Sequence, residues 1–286
     1  MIKVEFANNK QAIIQENVQH CQLISQIGKG ANGALMLGRH MIRQEMVAIK
    51  IIKMRSQKQK ERMENNFAVL KKLNHEGIAK VYEFFADQGY IFIVMEYCKG
   101  GDLLSLFKNG NHPEIKTAER IFKQVLDAVC YLHDNGIAHR DLKLENIVLD
   151  GNGNPKIIDF DSMSTNGTQK SKEIVGTLQY LCPEALINNE YNPFKADIWA
   201  LGIIFATLIN GQLPYRIPKD NNDMRKIIKK GQLLWPKCMR YDMKKFVLSM
   251  LSLNPEMRID ANGLRQKYEE MTSKWYHRLA QKILGK

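Results

Sequence analysis

Cysteine is scarce in this chain and follows no pattern. Five residues are scattered without a CxxC pair or a framework spacing. That argues against a disulfide-stapled scaffold and for a reducing compartment, the cytoplasm first and the nucleus second. Long apolar runs are missing as well. The longest, residues 198–209, is too short to span a bilayer and is broken by Gly202, so a buried core helix is expected there. The amino terminus reads Met-Ile-Lys-Val-Glu, without the charged-then-apolar pattern of a secretory signal. No internal repeat or low-complexity block occurs, and the 19 glycines and 8 prolines are ordinary in number.

What is present suits a folded domain. The 286 residues are 44% hydrophobic, ample for one large buried unit or for two lobes around a cleft. The formal net charge is +12, from 42 basic and 30 acidic residues, an excess that suits nucleic acid, a membrane surface or acidic partners. Its densest run, from Lys50 to Arg62, has almost no aromatic interleaving. A solvated loop and helix face is the expectation there, and phosphate binding accounts for part of the remaining charge. No nucleic-acid module is recognisable.

Residues 20–100 alternate short β-rich runs with one helical segment. Residues 22–27 and 34–38 read as strands joined by a glycine-rich turn, and 46–52 and 90–96 as further strands rich in Ile and Val. Phe67, Val69, Leu70 and Leu73 recur at helical spacing. After Gly100-Gly101 the pattern turns helical. Residues 117–135 form an amphipathic segment, 196–210 a buried one, 244–253 another, and 262–284 one or two more.

Gly28-Lys-Gly30-Ala-Asn-Gly33-Ala-Leu35 fits a phosphate-cradling glycine pattern, because glycine lets backbone N–H groups approach anionic oxygens. Three glycines also make a simple hairpin turn. A dinucleotide fingerprint needs a helix directly after them, and a strand-like segment follows instead. Val47-Ala-Ile-Lys50 comes next; a lone strand lysine is usually an edge residue, but the two signals reinforce each other. The decisive segment is His139-Arg140-Asp141-Leu142-Lys143-Leu144-Glu145-Asn146. It puts a carboxylate, a cation and an amide in one short loop: Asp141 to orient a hydroxyl proton, Lys143 to hold a transferring phosphate, Asn146 to bind a metal ion. Downstream, Ile157-Ile158-Asp159-Phe160 supplies a carboxylate suited to Mg²⁺ at the end of an apolar strand.

In this order the segments resemble a eukaryotic protein kinase catalytic domain over residues 21–275. The resemblance implies an α+β, bilobal kinase fold, with a small β-rich N-lobe, a larger helical C-lobe and an ATP cleft between them. Residues 1–20 would be an N-terminal extension, 21–97 the N-lobe, 98–275 the C-lobe and 276–286 a tail. It implies ATP and Mg²⁺ as cofactors. Gly28, Gly30 and Gly33 would line the loop over ATP, with Ile27 and Leu35 beside them, and Lys50 would contact the α- and β-phosphates. Ala48, Met95 at the gatekeeper position, the hinge residues Glu96 and Cys98, Asp102 and Val148 complete the nucleotide set. Asp141 and Lys143 would act with Lys50 in catalysis, and Asn146 and Asp159 would be the metal ligands. Glu184 should pair with Arg258, and Asp197-Ile-Trp199-Ala-Leu-Gly202 resembles the buried helix that anchors the catalytic loop.

Lys143 after the catalytic aspartate is the serine/threonine form, and the wording around it is similar to the calcium/calmodulin-dependent and SNF-type branch. Protein substrates bearing Ser or Thr are implied. Asp102 lies where relatives contact ribose or a basic substrate residue, an expectation of basic-directed substrates. No specific nucleic acid and no membrane span are expected, and the oligomeric state stays open. Residues 262–286 show no clear calmodulin target, although Trp275 and its basic neighbours leave one open.

Two positions depart from the family pattern. Counting back from Leu73-Asn74-His75, Asn66 occupies the helix position usually held by a glutamate that pairs with the strand lysine. Glu64 lies two residues away, about 200° around a helix. In Asp159-Phe160-Asp161 the last residue replaces a glycine, so Asp161 is expected to tolerate a left-handed backbone and to restrict the loop. Both departures motivate an alternative reading as a pseudokinase, an ATP-binding scaffold with weak or no catalysis. Glu173, four residues before Thr177, could pair with Arg140 and order the activation segment without phosphorylation. Thr165, Thr168 and Ser171 are candidate phosphorylation positions.

Overall fold

The computed structural model describes residues 1–286 apart from 8–9, 31–32, 111, 166–169, 189, 236–238 and 284–286, and apart from the side chains of 109–110 and 274–283. Thr168 and the Trp275 side chain therefore lie outside the described residues. By internal contacts the chain divides into two compact units, Met1–Gly100 and Gly101–Lys286.

The first unit is built on strands. β1 (Ile2–Glu5) and β2 (Gln11–Ile14) form an antiparallel hairpin. β3 (Asn17–Val18), β4 (Cys21–Lys29), β5 (Gly33–His40), β6 (Glu45–Lys53), β7 (Val81–Asp87) and β8 (Tyr90–Glu96) form one antiparallel sheet in the order β3-β4-β5-β6-β8-β7. All four strands read from the sequence are present. Alternation along β6 assigns its faces: Val47, Ile49 and Ile51 are buried with Leu23, Met36, Phe92 and Val94 in one cluster. Each such buried side chain contributes about 1.5–3 kcal/mol. Val4 and Ile14 of the hairpin join that cluster, so the first residues supply part of the core, which no sequence pattern had indicated.

Gly33 is needed for a close approach. A Cβ there would collide with the Ile51 carbonyl oxygen on the neighbouring strand. Neither Gly28 nor Gly30 is among the described residues with a positive φ.

Among the described residues of this unit, one α-helix packs against the sheet. α1 (Gln57–Leu70) starts at Ser56, whose hydroxyl accepts the Gln59 N–H at 3.1 Å. Met63 is buried, and Asn66, Phe67 and Leu70 follow it on the same half-buried face while Glu64 is exposed. The helix stops at Leu70 rather than running on to Leu73. Tighter turns take over, Lys72 N–H to Val69 O and Leu73 N–H to Leu70 O, both at 3.0 Å. Of the basic run from Lys50 to Arg62, residues 53–62 are exposed or half-exposed, as expected for a solvated face, whereas Ile51 and Ile52 are buried in β6.

The second unit is mainly helical: α2 (Ile115–Asp134), α3 (Pro183–Asn188), α4 (Pro193–Asn210), α5 (Asn221–Lys229), α6 (Tyr241–Met250) and α7 (Ala261–Ile283), with a short hairpin of β9 (Ile147–Leu149) and β10 (Pro155–Ile157). Phe122, Phe205, Phe246 and Tyr268 meet at its centre, one from each of α2, α4, α6 and α7, with ring centroids 4.1–6.5 Å apart. α4 carries the apolar run singled out above. The Asn192 side chain caps it by accepting the Phe194 N–H at 2.9 Å, Pro193 opens its first turn, and Gly211 closes it at φ 75°. By length and composition α4 is apolar enough to cross a membrane, but 72% of it is buried within the fold. It is the expected core helix.

Arg258 and Glu184 form the expected pair. Two parallel bonds of 2.7 and 2.9 Å join them, and Arg258 also donates to the carbonyls of Lys195 and Ser252. Both side chains are almost fully buried, and the guanidinium lies over Trp199. Removing one partner leaves an uncompensated buried charge. Glu184→Ala is therefore expected to cost about 3–5 kcal/mol in denaturant unfolding, with much of it recovered in Glu184→Met/Arg258→Met. A loss below about 1 kcal/mol would contradict this assignment.

Candidate active site

In the first unit, the strand register gathers most residues expected at the nucleotide on one face. Leu35, Lys50 and Ile93 lie side by side across β5, β6 and β8, and Leu37, Ala48 and Met95 form the adjacent row. This face is opposite Val47, Ile49 and Ile51. Ile27 and Gly28 lie near the end of β4, Ile27 being largely exposed. Gly30 closes the hairpin, its N–H donating to Gly33 O at 2.7 Å. Glu96 pairs in register with Val47, and its carboxylate accepts the Lys80 N–H at 3.1 Å. Cys98 follows β8 and is half-buried.

In the second unit, the segment from His139 to Asn146 is held from below by Asp197 of α4. Its carboxylate, 1% exposed, accepts the backbone N–H groups of His139 and Arg140, each at 2.8 Å, and contacts His133 Nε2 at 3.0 Å. Arg140 takes a left-handed φ of 68°, a conformation that needs such outside support. The His139 ring accepts the Asp141 N–H through Nδ1 at 3.2 Å, and Nε2 donates to Ile158 O at 2.9 Å. One neutral tautomer satisfies both bonds.

So positioned, Asp141 is the hub. Its Oδ2 accepts from Lys143 Nζ at 2.7 Å and from Asn146 Nδ2 at 3.0 Å. Its Oδ1 accepts the Thr177 N–H at 3.1 Å and the Thr177 hydroxyl at 3.3 Å, while Lys143 also donates to that hydroxyl at 2.8 Å. Asn146 gives a second amide bond to Asp141 O at 2.8 Å. With the nitrogen so committed, Oδ1 is the atom of Asn146 that suits a cation. Ile158 N–H donates to Asn146 O, which ties the loop to the stretch leading into Asp159.

Asp159 has a left-handed backbone, φ 64° and ψ 68°, ahead of a turn of 3₁₀ helix at Phe160–Ser162. Phe160 is buried, its ring 4.8 Å from that of His139. Asp161 is inside the turn and is not among the residues with positive φ. The expected left-handed strain therefore falls on Asp159, and Asp161 replaces glycine where the observed backbone suits any residue. Asp102 and Val148 form an isolated bridge, and Asp102 Oδ1 accepts the Ser105 N–H at 2.7 Å, starting the turn Leu103–Gly110.

Glu173 does meet Arg140. Arg140 Nη2 donates to the Glu173 carboxylate at 3.1 Å and to its carbonyl at 2.8 Å. Tyr191 completes this contact, accepting from Arg140 Nε at 3.3 Å and donating to Glu173 O at 3.0 Å. Burial pushes the Tyr191 phenol up, which keeps it a donor. Burial likewise pushes the Cys182 thiol far up, making it inert. Thr177 was marked by its place at the end of the activation segment but not for its bonds to Asp141 and Lys143, and Tyr191 had no motif signal. Tyr191 lies far from Arg140 in sequence, and Ser171 reaches it by a two-way backbone bridge.

A family model described as the protein kinase domain matches residues 21–268. The serine/threonine-protein kinase kin-29 of Caenorhabditis elegans is 34% identical over 88% of this chain and 30% of its own length. CBL-interacting serine/threonine-protein kinases 13 and 15 of Arabidopsis thaliana are 36% and 32% identical over 82% and 88% of this chain, and over 47% and 60% of their own. The chain thus spans three-tenths to three-fifths of the length of these curated relatives, which lie in the branch that the motif wording indicated. A sheet with its lysine strand, a loop hung on Asp197 and a family match across both units agree, and the chain belongs to the protein kinase family.

Proposed function

We propose that this chain is a serine/threonine kinase that transfers the γ-phosphoryl group of MgATP to Ser or Thr hydroxyls of protein substrates. The observation that carries it is the convergence of Lys143, Asn146 and Thr177 on the Asp141 carboxylate. Asp141 accepts the proton of the incoming Ser or Thr hydroxyl, and that hydroxyl oxygen forms the new bond to the γ-phosphorus as the bond to the β–γ bridging oxygen breaks and ADP leaves. Lys143, within reach of Asp141 and Thr177, stabilises charge on the transferring group. Lys50 and the N–H groups of the glycine turn serve the other phosphates. Gly30 supports this role, because among the described residues a Cβ there would meet only Gly33 O at 3.5 Å, so no described neighbour demands glycine.

Asn146 and Asp159 offer the amide and carboxylate oxygens that Mg²⁺ prefers. Bound there, Mg²⁺ would neutralise charge on the nucleotide's phosphates. Asn66 brings an amide, not a carboxylate, to the inward face of α1, which tempers the rate without removing any group that handles the reacting atoms. The curated relatives are named as kinases, and nothing in the comparisons favours the scaffold reading.

Asp141→Asn is expected to lower transfer to a generic basic peptide by at least about a hundredfold while ATP binding changes little. Wild-type transfer no faster than that of Asp141→Asn, with ATP still bound, would make the chain a nucleotide-binding scaffold instead. The Glu173 contact supports basal activity without phosphorylation of the segment. Because Glu173 is 59% exposed, its ion pair is worth little in stability, about 1 kcal/mol or less. Glu173→Ala should therefore leave thermal unfolding almost unchanged and lower basal turnover severalfold. Equal basal turnover would contradict an ordering role.

A further inference from the structure

Away from the kinase site, the first unit holds a group of metal-ligating side chains drawn from three strands. Cys21 of β4 and His40 of β5 are cross-strand partners, 1% and 3% exposed, and Glu83 comes from β7. The donor atoms of these three residues all lie within 4.8 Å of one another. Glu83 Oε1 contacts His40 Nε2 at 3.1 Å and His20 Nδ1 at 2.9 Å. The second carboxylate oxygen, Oε2, is buried without a hydrogen-bond partner. His20 is half-exposed and stacks on His40 with ring centroids 6.1 Å apart, leaving one side of the group open to solvent.

We propose that Cys21, His40 and Glu83, with His20 as the fourth ligand, form a binding site for a zinc-class divalent cation. One sulfur, two imidazole nitrogens and a carboxylate oxygen make a borderline-soft set, suited to Zn²⁺ and unsuited to Mg²⁺. This chemistry separates it from Asn146 and Asp159. Tetrahedral zinc holds neighbouring donors about 3.4–3.6 Å apart; the Cys21, His40 and Glu83 donors already lie within 4.8 Å of one another, whereas His20, tied to Glu83 Oε1 at 2.9 Å, lies outside that group and swings inward to become the fourth ligand. A buried carboxylate oxygen without a partner is costly, and a cation removes that cost.

The proton balance is simple. Cys21 enters as thiolate and releases its proton to solvent. His40 binds through Nε2, so its proton moves to Nδ1, and the long 3.3 Å contact from the Arg43 N–H to Nδ1 is given up. Thiolate and carboxylate together neutralise the dication. Arg43, whose N–H faces His40, has its guanidinium engaged by Glu45 and over the Tyr82 ring. In the sheet order β3-β4-β5-β6-β8-β7, β7 is not hydrogen-bonded to β4 or β5. A metal here therefore staples strands that the ladder leaves unjoined, a structural role that four protein ligands suit.

The test uses the metal-free full chain titrated with Co²⁺ as a spectroscopic probe, followed by competition with Zn²⁺. One equivalent should produce a thiolate-to-cobalt charge-transfer band and tetrahedral d–d absorption, both abolished by Zn²⁺. Cys21→Ser should remove the charge-transfer band, and His40→Gln or Glu83→Gln should weaken Zn²⁺ binding by at least about tenfold. Zn²⁺ should raise the unfolding temperature of wild type and not of Cys21→Ser. Absence of the band in wild type, or its persistence in Cys21→Ser, would overturn the site and leave the cluster a hydrogen-bonded staple. If Cys21→Ser does not fold, the more exposed His20→Gln takes its place, and an unchanged cobalt spectrum and zinc affinity there would overturn the four-ligand site.

Discussion

The second unit depends on one buried carboxylate. Asp197, set in the core helix α4, accepts two consecutive backbone N–H groups and contacts His133. Loops seldom carry their polar backbone into a core, because an unpaired N–H costs about 1–3 kcal/mol. Here the carboxylate satisfies that need and so specifies where the loop begins. Arg140 can then stay left-handed, and Asp141 emerges facing Lys143, Asn146 and Thr177. The apolar surroundings of α4 strengthen these bonds, since no water competes for the Asp197 oxygens.

The first unit solves a different problem with strand alternation. One face of the sheet is sealed into the aliphatic core by Val47, Ile49 and Ile51. The other face, one residue out of phase, presents Lys50 and Ala48 in rows with Leu35 and Met95. A slip of a single residue would bury the lysine and expose the core. The short Val47-Ala-Ile-Lys50 segment thus specifies both the packing and the chemistry of β6.

Much of this was legible in the sequence because it is local. The strands β4, β5, β6 and β8, the helices α2, α4, α6 and α7 and the His139–Asn146 loop each carry their signal within a few residues, whereas β7, α3 and α5 are not among the segments read from it. The Glu184–Arg258 and Arg140–Glu173 pairs became readable only through resemblance, since their partners are far apart in the chain. Tyr191 was not legible at all: a tyrosine before Asn192-Pro193 looks like any helix-flanking residue until the fold brings it to Arg140. The Cys21, His40 and Glu83 group was hidden for the same reason, having no metal-motif spacing and existing only once the strands assemble. The expectation for Asp161 failed on conformation: the left-handed residue of that segment is its neighbour Asp159.

The central claim is that Asp197, touching no reacting atom, sets the geometry in which Asp141 works. Asp197→Asn tests it most directly, because asparagine keeps the shape but turns one acceptor into a donor against the loop's N–H groups. Steady-state phosphotransfer should fall by at least about tenfold, roughly 1.4 kcal/mol in the barrier. ATP affinity should be retained, and a near-native unfolding profile would show that the chain still folds. Undiminished turnover in a folded Asp197→Asn chain would contradict the account.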